Sequence, residues 1–341
     1  MYRKTYVEIN KKNICNNIKK IIKVYPFYDY YFGVVKADCY GHGNVIDAII
    51  LGGCNYLAVA TLEEALEIRK KYQDIPILCL EIFDVKYINI AKENQITITV
   101  ANLEYAKKIK DIKNIKIHVK INTGMNRLGI TSKDEFEQVY QLLEIEGVYS
   151  HIYHADNKVS SNKQIALFQD MVKDKNIKIV HLQASDALIN YKKLDFVNAT
   201  RLGIIMYGFS NHLQLQSTFT LHSQIIQIQN LKKGETLGYN GTYVATKNEK
   251  IAVIAIGYAD GIIRKNKGRD VYIHDKPYKI VGNICMDMLF VKCDDTIKEQ
   301  DDVILLKDTS HINQVAKYLD TIPYEVMCLI SKRVPRIYKN L

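Results

Sequence analysis

The chain has 341 residues, of which 48% are hydrophobic and 25% are charged, so it can bury a large core and form two domains. Its formal net charge of +10 comes from lysines spread along the whole chain. The sequence has no arginine-rich arm and no basic tract with interleaved aromatic residues, so we expect no nucleic-acid partner.

The sequence also argues against a membrane or secreted protein. No apolar run approaches the roughly 18 residues that cross a bilayer, and the start MYRKTYVEIN has no apolar core behind its charges. We therefore expect a cytoplasmic protein without a membrane partner. The seven cysteines are scattered without CxxC or Cys/His spacing, which predicts neither a disulfide framework nor a metal site.

The first two-thirds of the chain alternates short apolar runs with amphipathic helical stretches. The runs predicted to be strands are Tyr31–Val35, Tyr56–Ala60, Pro76–Leu80, Ile96–Val100, Ile115–Ile121, Val148–Tyr153, Ile177–Leu182 and Gly203–Tyr207. Such a series of strands separated by helices favours a TIM-type (β/α)₈ barrel over a doubly wound sheet. The absence of GxGxxG after the first strand also argues against a Rossmann domain.

Several helix starts carry recognisable N-caps. Thr61 and Ser132 each precede a glutamate by three residues, which is the spacing of a capping box. Asp84 and Asn102 are further predicted N-caps, because their side-chain oxygens can accept from free N–H groups of the first turn.

The pattern becomes rich in β-structure from Thr218 onward. The strands predicted there are Leu221–Ile228, Ile251–Ile256, Val271–His274, Lys279–Val281, Leu289–Cys293 and Val303–Leu306. One helix is predicted over Ile312–Leu319. We therefore predict an N-terminal barrel over residues 1–215 and a mostly β domain over residues 216–341.

The most informative segment is VVKADCYGHG at residues 34–43, which places Lys36 at the end of the first predicted barrel strand. Functional residues of such barrels lie at the carboxyl ends of the strands. Desolvation at that face lowers the pKa of a lysine and makes its amine a nucleophile toward aldehydes. Lys36 is therefore a candidate catalytic residue.

Other strand ends carry further candidate residues: Lys120, Arg127, His151, Ser185 and Arg201. This cationic set suits an anionic carbonyl cofactor, pyridoxal 5′-phosphate, held by lysine as a Schiff base. A barrel that binds sugar phosphates would present similar residues, so composition leaves both ligands open.

The whole chain resembles the alanine racemases, barrel-type pyridoxal-phosphate enzymes with a C-terminal β domain. Their lysine motif VVKANAYGHG matches residues 34–43 except at Asp38 and Cys39. Further matches follow in family order: GMNRLG (124–129), YSH ending at His151, RLGIIMYG (201–208), LGYNGTY (237–243), IGYADGIIR (256–264), GNICMDM (282–288) and YEVMCLISKRVPR (324–336), where Met327 departs from the family pattern.

The resemblance implies two catalytic bases. Lys36 would carry the cofactor and act on the D-side of the substrate, and Tyr239 would act on the L-enantiomer. A phenol has a pKa near 10, so Tyr239 needs nearby positive charge, which His151 and Arg201 would supply. Arg201 would face the ring nitrogen without giving it a proton, which favours reprotonation over transamination.

The resemblance assigns the remaining ligand contacts. Arg127 would bind the substrate carboxylate, helped by the backbone of Met286, and Tyr258 and Asp287 would shape the opening and far wall of the pocket. Lys120 matches a lysine that is carbamylated in many relatives, although a plain solvated lysine remains an alternative. The residues implied for cofactor binding are Lys36, Tyr40, Ser185, Arg201, Gly203, Ile204 and Tyr324. Ala184 departs from the asparagine usual beside that serine, which puts a contact there in doubt.

The resemblance also implies a homodimer with shared active sites, because the family's β domain reaches the partner's barrel. The implied function is interconversion of L- and D-alanine, which supplies D-alanine for peptidoglycan. A serine or broad-specificity racemase is the alternative, although Tyr324 favours alanine, since serine-racemising relatives tend to carry asparagine there. A decarboxylase for basic amino acids would place a carboxylate where Arg201 stands, and barrel-only pyridoxal-phosphate-binding proteins lack the second domain.

Overall fold

The computed structural model describes residues 2–339. In chain order, its first part contains β1 (Tyr6–Asn10), α1 (Lys11–Val24), β2 (Tyr30–Val34), α2 (Lys36–Tyr40), α3 (Ile46–Gly52), β3 (Tyr56–Val59), α4 (Leu62–Arg69), β4 (Ile77–Cys79), α5 (Ile88–Glu93), β5 (Ile96–Val100), α6 (Leu103–Ile109), β6 (Ile117–Lys120), α7 (Lys133–Leu142), β7 (Gly147–Tyr149), α8 (Lys158–Val172), β8 (Ile179–Ala184), α9 (Ser185–Asn190) and β9 (Ala199–Leu202). The second part contains β10 (Phe219–Leu231), β11 (Thr236–Leu237), β12 (Tyr243–Val244), β13 (Glu249–Ile254), β14 (Asp270–Ile273), β15 (Lys276–Val281), β16 (Leu289–Cys293), β17 (Asp302–Leu306), α10 (Thr309–Leu319), α11 (Pro323–Cys328) and β18 (Arg336–Lys339).

Strands β2 to β9 form a closed parallel barrel, which confirms the predicted fold class. Pairing of β2 with β9, with Phe32 opposite Arg201, closes the ring. These strands are buried on both faces, as β5 illustrates with five consecutive buried residues, so they appear in the sequence as continuous apolar runs. The barrel interior is packed with aromatic and imidazole rings, including Phe32, Tyr56 and His181.

The last predicted barrel strand is wrong. The strand is Ala199–Leu202, whereas Ile204–Tyr207 forms a 3₁₀ helix. Thr200 and Arg201 are buried polar residues that break the apolar pattern of the true strand. The apolar residues of the 3₁₀ helix are buried in the core, and their continuous apolar run gave the stronger strand signal.

The second domain contains an eight-stranded sheet with the order β13-β16-β15-β14-β17-β10-β1-β18. It confirms a mostly β region after the barrel. The first strand, β1, lies in this sheet rather than in the barrel, where it pairs antiparallel with β10 and parallel with β18. Helix α10 begins at Thr309, three residues before the predicted start, because Asp308 caps it by accepting from the N–H of His311.

The predicted N-caps are confirmed with one difference. Thr61 and Glu64 form a complete capping box. Ser132 accepts from the N–H of Glu135 at 3.1 Å, but the Glu135 carboxylate instead accepts from the N–H of Leu103, so only half of that box forms. Asp84 and Asn102 both cap as predicted.

Lys36 begins an unusual left-handed turn at the end of β2. Residues 37 to 40 all have φ between 52° and 56°, a conformation that is strained by about 1–3 kcal/mol for each non-glycine residue. The turn persists because the C-terminal segment packs on it. The Arg336 guanidinium donates to the Gly41 carbonyl at 3.0 Å, and the Asn44 N–H donates to the Tyr338 hydroxyl at 2.8 Å.

None of the helices within residues 2–339 has the length and hydropathy of a bilayer-spanning segment.

We predict that Gly41→Ala destabilises the protein by about 2–4 kcal/mol. Gly41 has a φ of +78°, and an added Cβ would lie 2.5 Å from the backbone oxygen of Met327. Gly234→Ala is the matched control, because φ is +89° there and no atom lies within 4 Å of the added Cβ. Urea unfolding of both variants measures the difference. Equal losses for the two variants would show that α11 does not restrict the turn.

Candidate active site

The candidate residues of the barrel lie together at the rim formed by the carboxyl ends of its strands. Lys36 follows β2, Lys120 ends β6, His151 follows β7, and Ser185 follows β8. Because parallel strands end at the same face, their terminal side chains converge. The convergence has an electrostatic effect. The pKa of the His151 imidazole is lowered by four nearby basic residues, which are Arg201, Lys120, Arg127 and Lys36.

Arg201 on β9 is the centre of the site. Its side chain is buried and donates to the Ser150 carbonyl at 2.7 Å, to His181 Nδ1 at 2.9 Å and to His151 Nδ1 at 3.2 Å. Within residues 2–339 no carboxylate lies within ion-pair distance of it, so every acceptor that it meets is neutral. Burial lowers the pKa of Arg201 to about 10, which still leaves it charged at neutral pH.

Arg201 fixes the tautomers of its histidine neighbours. A guanidinium has no acceptor, so Nδ1 of His151 must accept and its proton must sit on Nε2. Burial and the neighbouring cations lower the pKa of His151 to about 3, so this imidazole is neutral. The positive charge in this pair therefore resides on Arg201, and His151 contributes a directed N–H donor.

Lys120 is a buried amine in a cationic environment. Only 6% of the residue is exposed, and its Nζ lies 4.9 Å from the centre of the Tyr149 ring. Burial, with Arg201 and Arg127 nearby, holds the pKa of Lys120 well below its usual range. Among the described residues, no carboxylate pairs with it. The alternative of a plain solvated lysine is therefore wrong.

Ser185, Tyr40 and Gly203 form a small polar cradle. The Gly203 N–H donates to Ser185 Oγ at 3.1 Å, and a Cβ on Gly203 would lie 3.1 Å from the Tyr40 hydroxyl. Ile204 starts the adjacent 3₁₀ helix, and the Tyr324 ring lies 5.6 Å from that of Tyr40. Hydroxyls and backbone N–H groups around a glycine suit an anion such as phosphate. At Ala184, the N-cap of α9, no side-chain cap forms.

Arg127 lies on the loop that follows β6 and is exposed. Asn122 shapes this loop, since its side-chain oxygen accepts from the N–H groups of Gly124 and Asn126. The loop returns to the barrel through Ile130, whose N–H donates to the Lys120 carbonyl at 2.9 Å. Arg127 is thereby tied to the strand that carries Lys120.

The candidate residues of the second domain form one solvent-facing surface. Tyr239 is 71% exposed, Met286 is 52% exposed and Tyr258 is 41% exposed. The backbone N–H of Tyr258 donates to the Cys285 carbonyl, and the Asp287 carboxylate pairs with Arg333 at 2.7 Å. In the described part of the chain, none of these side chains hydrogen-bonds to the barrel residues of the site.

Sequence reasoning missed three residues that surround Arg201. His181 accepts from Arg201, His118 lies beyond it, and the Tyr149 ring stacks on His181 with centroids 4.8 Å apart. His118 and His181 interrupt apolar strands, and only Val119 separates His118 from Lys120. Polar residues inside predicted barrel strands were the signal that could have found them.

We predict that His151 stays neutral from pH 5.5 to 8.5 in the cofactor-free protein. Its folded pKa of about 3 lies below that range, so protonation occurs only in stronger acid. Nuclear magnetic resonance of ¹⁵N-histidine-labelled protein, with free histidine titrating near pH 6.5 as the reference, measures this. Titration of His151 near neutral pH would place the positive charge on the imidazole instead.

Comparison with known proteins agrees with this arrangement. The family model for the alanine racemase N-terminal domain matches residues 9–211, and the model for the C-terminal domain matches residues 218–338. Alanine racemase 1 of Bacillus subtilis (strain 168) is 35% identical, over 99% of this chain and 93% of that protein. The alanine racemase of Helicobacter pylori (strain P12) is 33% identical, over 98% of this chain and 99% of that protein.

Solved structures give the same result. The crystal structure of alanine racemase from Bacillus anthracis with bound L-Ala-P has a TM-score of 0.92 at 32% identity, and covers 100% of this chain and 96% of that one. Alanine racemase from E. faecalis has a TM-score of 0.93 at 30% identity and covers 99% of each chain. The resemblance carried by the sequence motifs is confirmed, and this chain belongs to the alanine racemase family.

Proposed function

We propose that this protein is a pyridoxal-phosphate-dependent racemase that interconverts L- and D-alanine. The observation that carries the proposal is the arrangement around Arg201. A buried cation, a neutral histidine donor, the Lys36 amine and an anion cradle meet at one rim of the barrel. Membership of the alanine racemase family supports alanine as the substrate.

The residues present fit pyridoxal 5′-phosphate on three counts. The cradle of Tyr40, Ser185 and Gly203 offers hydroxyl and N–H groups to a phosphate, with Ile204 and Tyr324 beside it. The Arg201 Nε–H donates to no described residue, so one donor remains for the ring nitrogen. Lys36 begins the strained turn that leads into the cradle. When bound, the cofactor acidifies the Cα–H of the amino acid by withdrawing electrons.

Two bases act on opposite faces of the substrate in this proposal. Lys36 exchanges the Cα proton on the D-side, and Tyr239 of the partner subunit exchanges it on the L-side. His151 donates its Nε2–H toward the phenol oxygen, and Arg201 stabilises the phenolate through His151. Because Arg201 holds the ring nitrogen without protonating it, rapid reprotonation at Cα is favoured.

Arg127 binds the substrate carboxylate through its planar guanidinium, with the backbone of Met286 of the partner subunit opposite. A neutral Lys120 amine can add to CO₂ and release one proton to solvent, which yields a carbamate. This anion would pair with Arg127 and orient it. Tyr258 and Asp287 of the partner subunit would line the opening of the pocket.

We propose a two-domain division at residues 1–215 and 216–341, with β1 of the first part joining the sheet of the second, in a homodimer with shared sites. The exposure of Tyr239, Tyr258 and Met286 supports this, because a single chain leaves these residues in solvent. Each subunit would then complete the site of the other. We further propose that the enzyme works in the cytoplasm and that its D-alanine supplies peptidoglycan.

Mixing two inactive variants tests the proposal. Lys36→Ala should lose visible absorption of the cofactor, while Tyr239→Phe should retain it, and each should lose at least about a hundredfold in alanine racemisation. Unfolding and refolding the two together should restore about a quarter of wild-type activity, since half of the dimers then hold one intact site. L-serine, assayed in parallel, should turn over more slowly than L-alanine.

Lys12→Ala, at an exposed position on α1, is the control for loss of a lysine and should behave as wild type. Full absorption in Lys36→Ala would refute the role of Lys36. A lack of activity in the mixed protein would refute shared sites, and a preference for L-serine would refute the substrate.

A further inference from the structure

A line of buried polar groups crosses the barrel away from the active site. From Arg201 it passes to His181 Nδ1 at 2.9 Å, and from His181 Nε2 to His118 Nδ1 at 2.9 Å. Both imidazoles are fully buried. The next group is the Glu146 carboxylate, 3.6 Å from His118 Nε2. Glu146 directly precedes β7, at the amino end of the barrel strands, opposite the rim that carries Lys36.

The direction of every contact follows from Arg201. His181 must accept at Nδ1 because a guanidinium only donates, so its proton sits on Nε2 and points to His118. His118 in turn accepts at Nδ1 and carries its proton on Nε2. That N–H is buried without a partner within hydrogen-bond distance, and its nearest acceptor is Glu146. The line therefore runs from a cation through two neutral donors to an anion.

The packing holds these rings in place. Tyr149 and Phe32 stack on the two faces of His181, with centroids 4.8 Å and 4.7 Å away. Gly147 makes room for His118, because a Cβ there would lie 2.5 Å from the imidazole. Burial lowers the pKa of both histidines, so they remain neutral. Neutral rings with one fixed tautomer transmit polarisation without taking up charge themselves.

Glu146 is the anion that this line reaches. Its side chain is 13% exposed, and it faces Lys116 at 3.5 Å, Lys178 at 3.8 Å and the Tyr56 hydroxyl at 3.3 Å. Burial alone would raise the pKa of Glu146, but His118 and these lysines lower it to about 2. The Glu146 carboxylate is therefore ionised at neutral pH. Arg201 itself is faced by Lys120, Arg127, Tyr149 and the two histidines, none of which is an anion at neutral pH.

We propose that Glu146 is a positioning residue for the reaction, which through His118 and His181 supplies the remote negative charge that keeps the Arg201 guanidinium protonated and oriented toward the site. This role rests on the proposed function of Arg201. A buried cation without a direct counter-charge is costly, and a line of polarised imidazoles that ends 3.6 Å from an anion reduces that cost. The far end of the barrel thereby contributes to the chemistry at the rim.

Glu146→Gln tests the proposal, because glutamine keeps an oxygen facing His118 but carries no charge. We expect kcat to fall about tenfold with KM within about twofold of wild type. The Arg201 guanidinium should deprotonate at a lower pH, by about one unit for the loss of a remote charge at an effective dielectric constant near 20. The ¹³C signal of labelled arginine in the cofactor-free protein, assigned with Arg201→Lys, measures that shift, and the alkaline limb of kcat should move with it.

Lys178→Gln is the matched control. It removes a charge 3.8 Å from the same carboxylate but leaves the line intact, so kcat should stay within about twofold of wild type. Gly147→Ala is a second variant that interrupts the line, because its added Cβ would displace His118 without changing a titratable group. It should lower both kcat and the pH at which half of the Arg201 guanidinium is deprotonated. If Glu146→Gln fails to fold, the Gly147→Ala variant tests the proposal in its place.

An unchanged guanidinium midpoint in Glu146→Gln or Gly147→Ala overturns the proposal, as does a loss of kcat that only follows a loss of folded protein. The titration uses protein without cofactor, so it is independent of the racemase reaction. Failure of wild-type protein to racemise alanine would refute the proposed function and leave the electrostatic link measurable.

Discussion

The site depends on one buried guanidinium. Arg201 lies on the last barrel strand and meets only neutral acceptors among the described residues. Its positive charge therefore acts on the tautomers and the pKa values of the groups around it. It fixes the tautomers of His151 and His181, and it contributes to lowering the pKa of the Lys120 amine. Arg201 can only donate hydrogen bonds. Without it, His151 and His181 could adopt other tautomers, and His151 would no longer present a fixed Nε2–H donor.

The second constraint is structural, because the C-terminal strand contacts the barrel at the turn that follows Lys36. The strained turn after Lys36 is held by Arg336 and Tyr338 on β18, the last strand of the second domain's sheet. The guanidinium of Arg336 also donates to the carbonyls of Ile330, Ser331 and Val334, so it fixes the tail as well as the turn. The C-terminal strand thereby supports the turn that begins at Lys36.

Much of the barrel could be predicted from sequence because doubly buried strands appear as continuous apolar runs. The prediction was wrong at Gly203–Tyr207, because Thr200 and Arg201 interrupt the apolar pattern of the true strand and the apolar 3₁₀ helix that follows resembles a strand in sequence. The motifs identified Lys36, Arg201 and the cradle, but not the interior histidines, since their partners come from strands far apart in the chain. The location of β1 was equally hidden, because its pairing with β10 and β18 spans almost the whole sequence. The roles of the site residues stay predictions until they are measured.

In the proposed function, the Arg201 guanidinium, which is charged at neutral pH, donates to the ring nitrogen without protonating it and so commits the reaction to proton exchange at Cα. The most direct measurement is the number of pyruvate molecules formed by transamination per alanine racemised, compared between wild type and Arg201→Glu. A carboxylate there would retain a proton on the ring nitrogen and deepen the electron sink. We expect the share of transamination to rise at least about tenfold in Arg201→Glu. An unchanged ratio in folded, cofactor-loaded Arg201→Glu would contradict it.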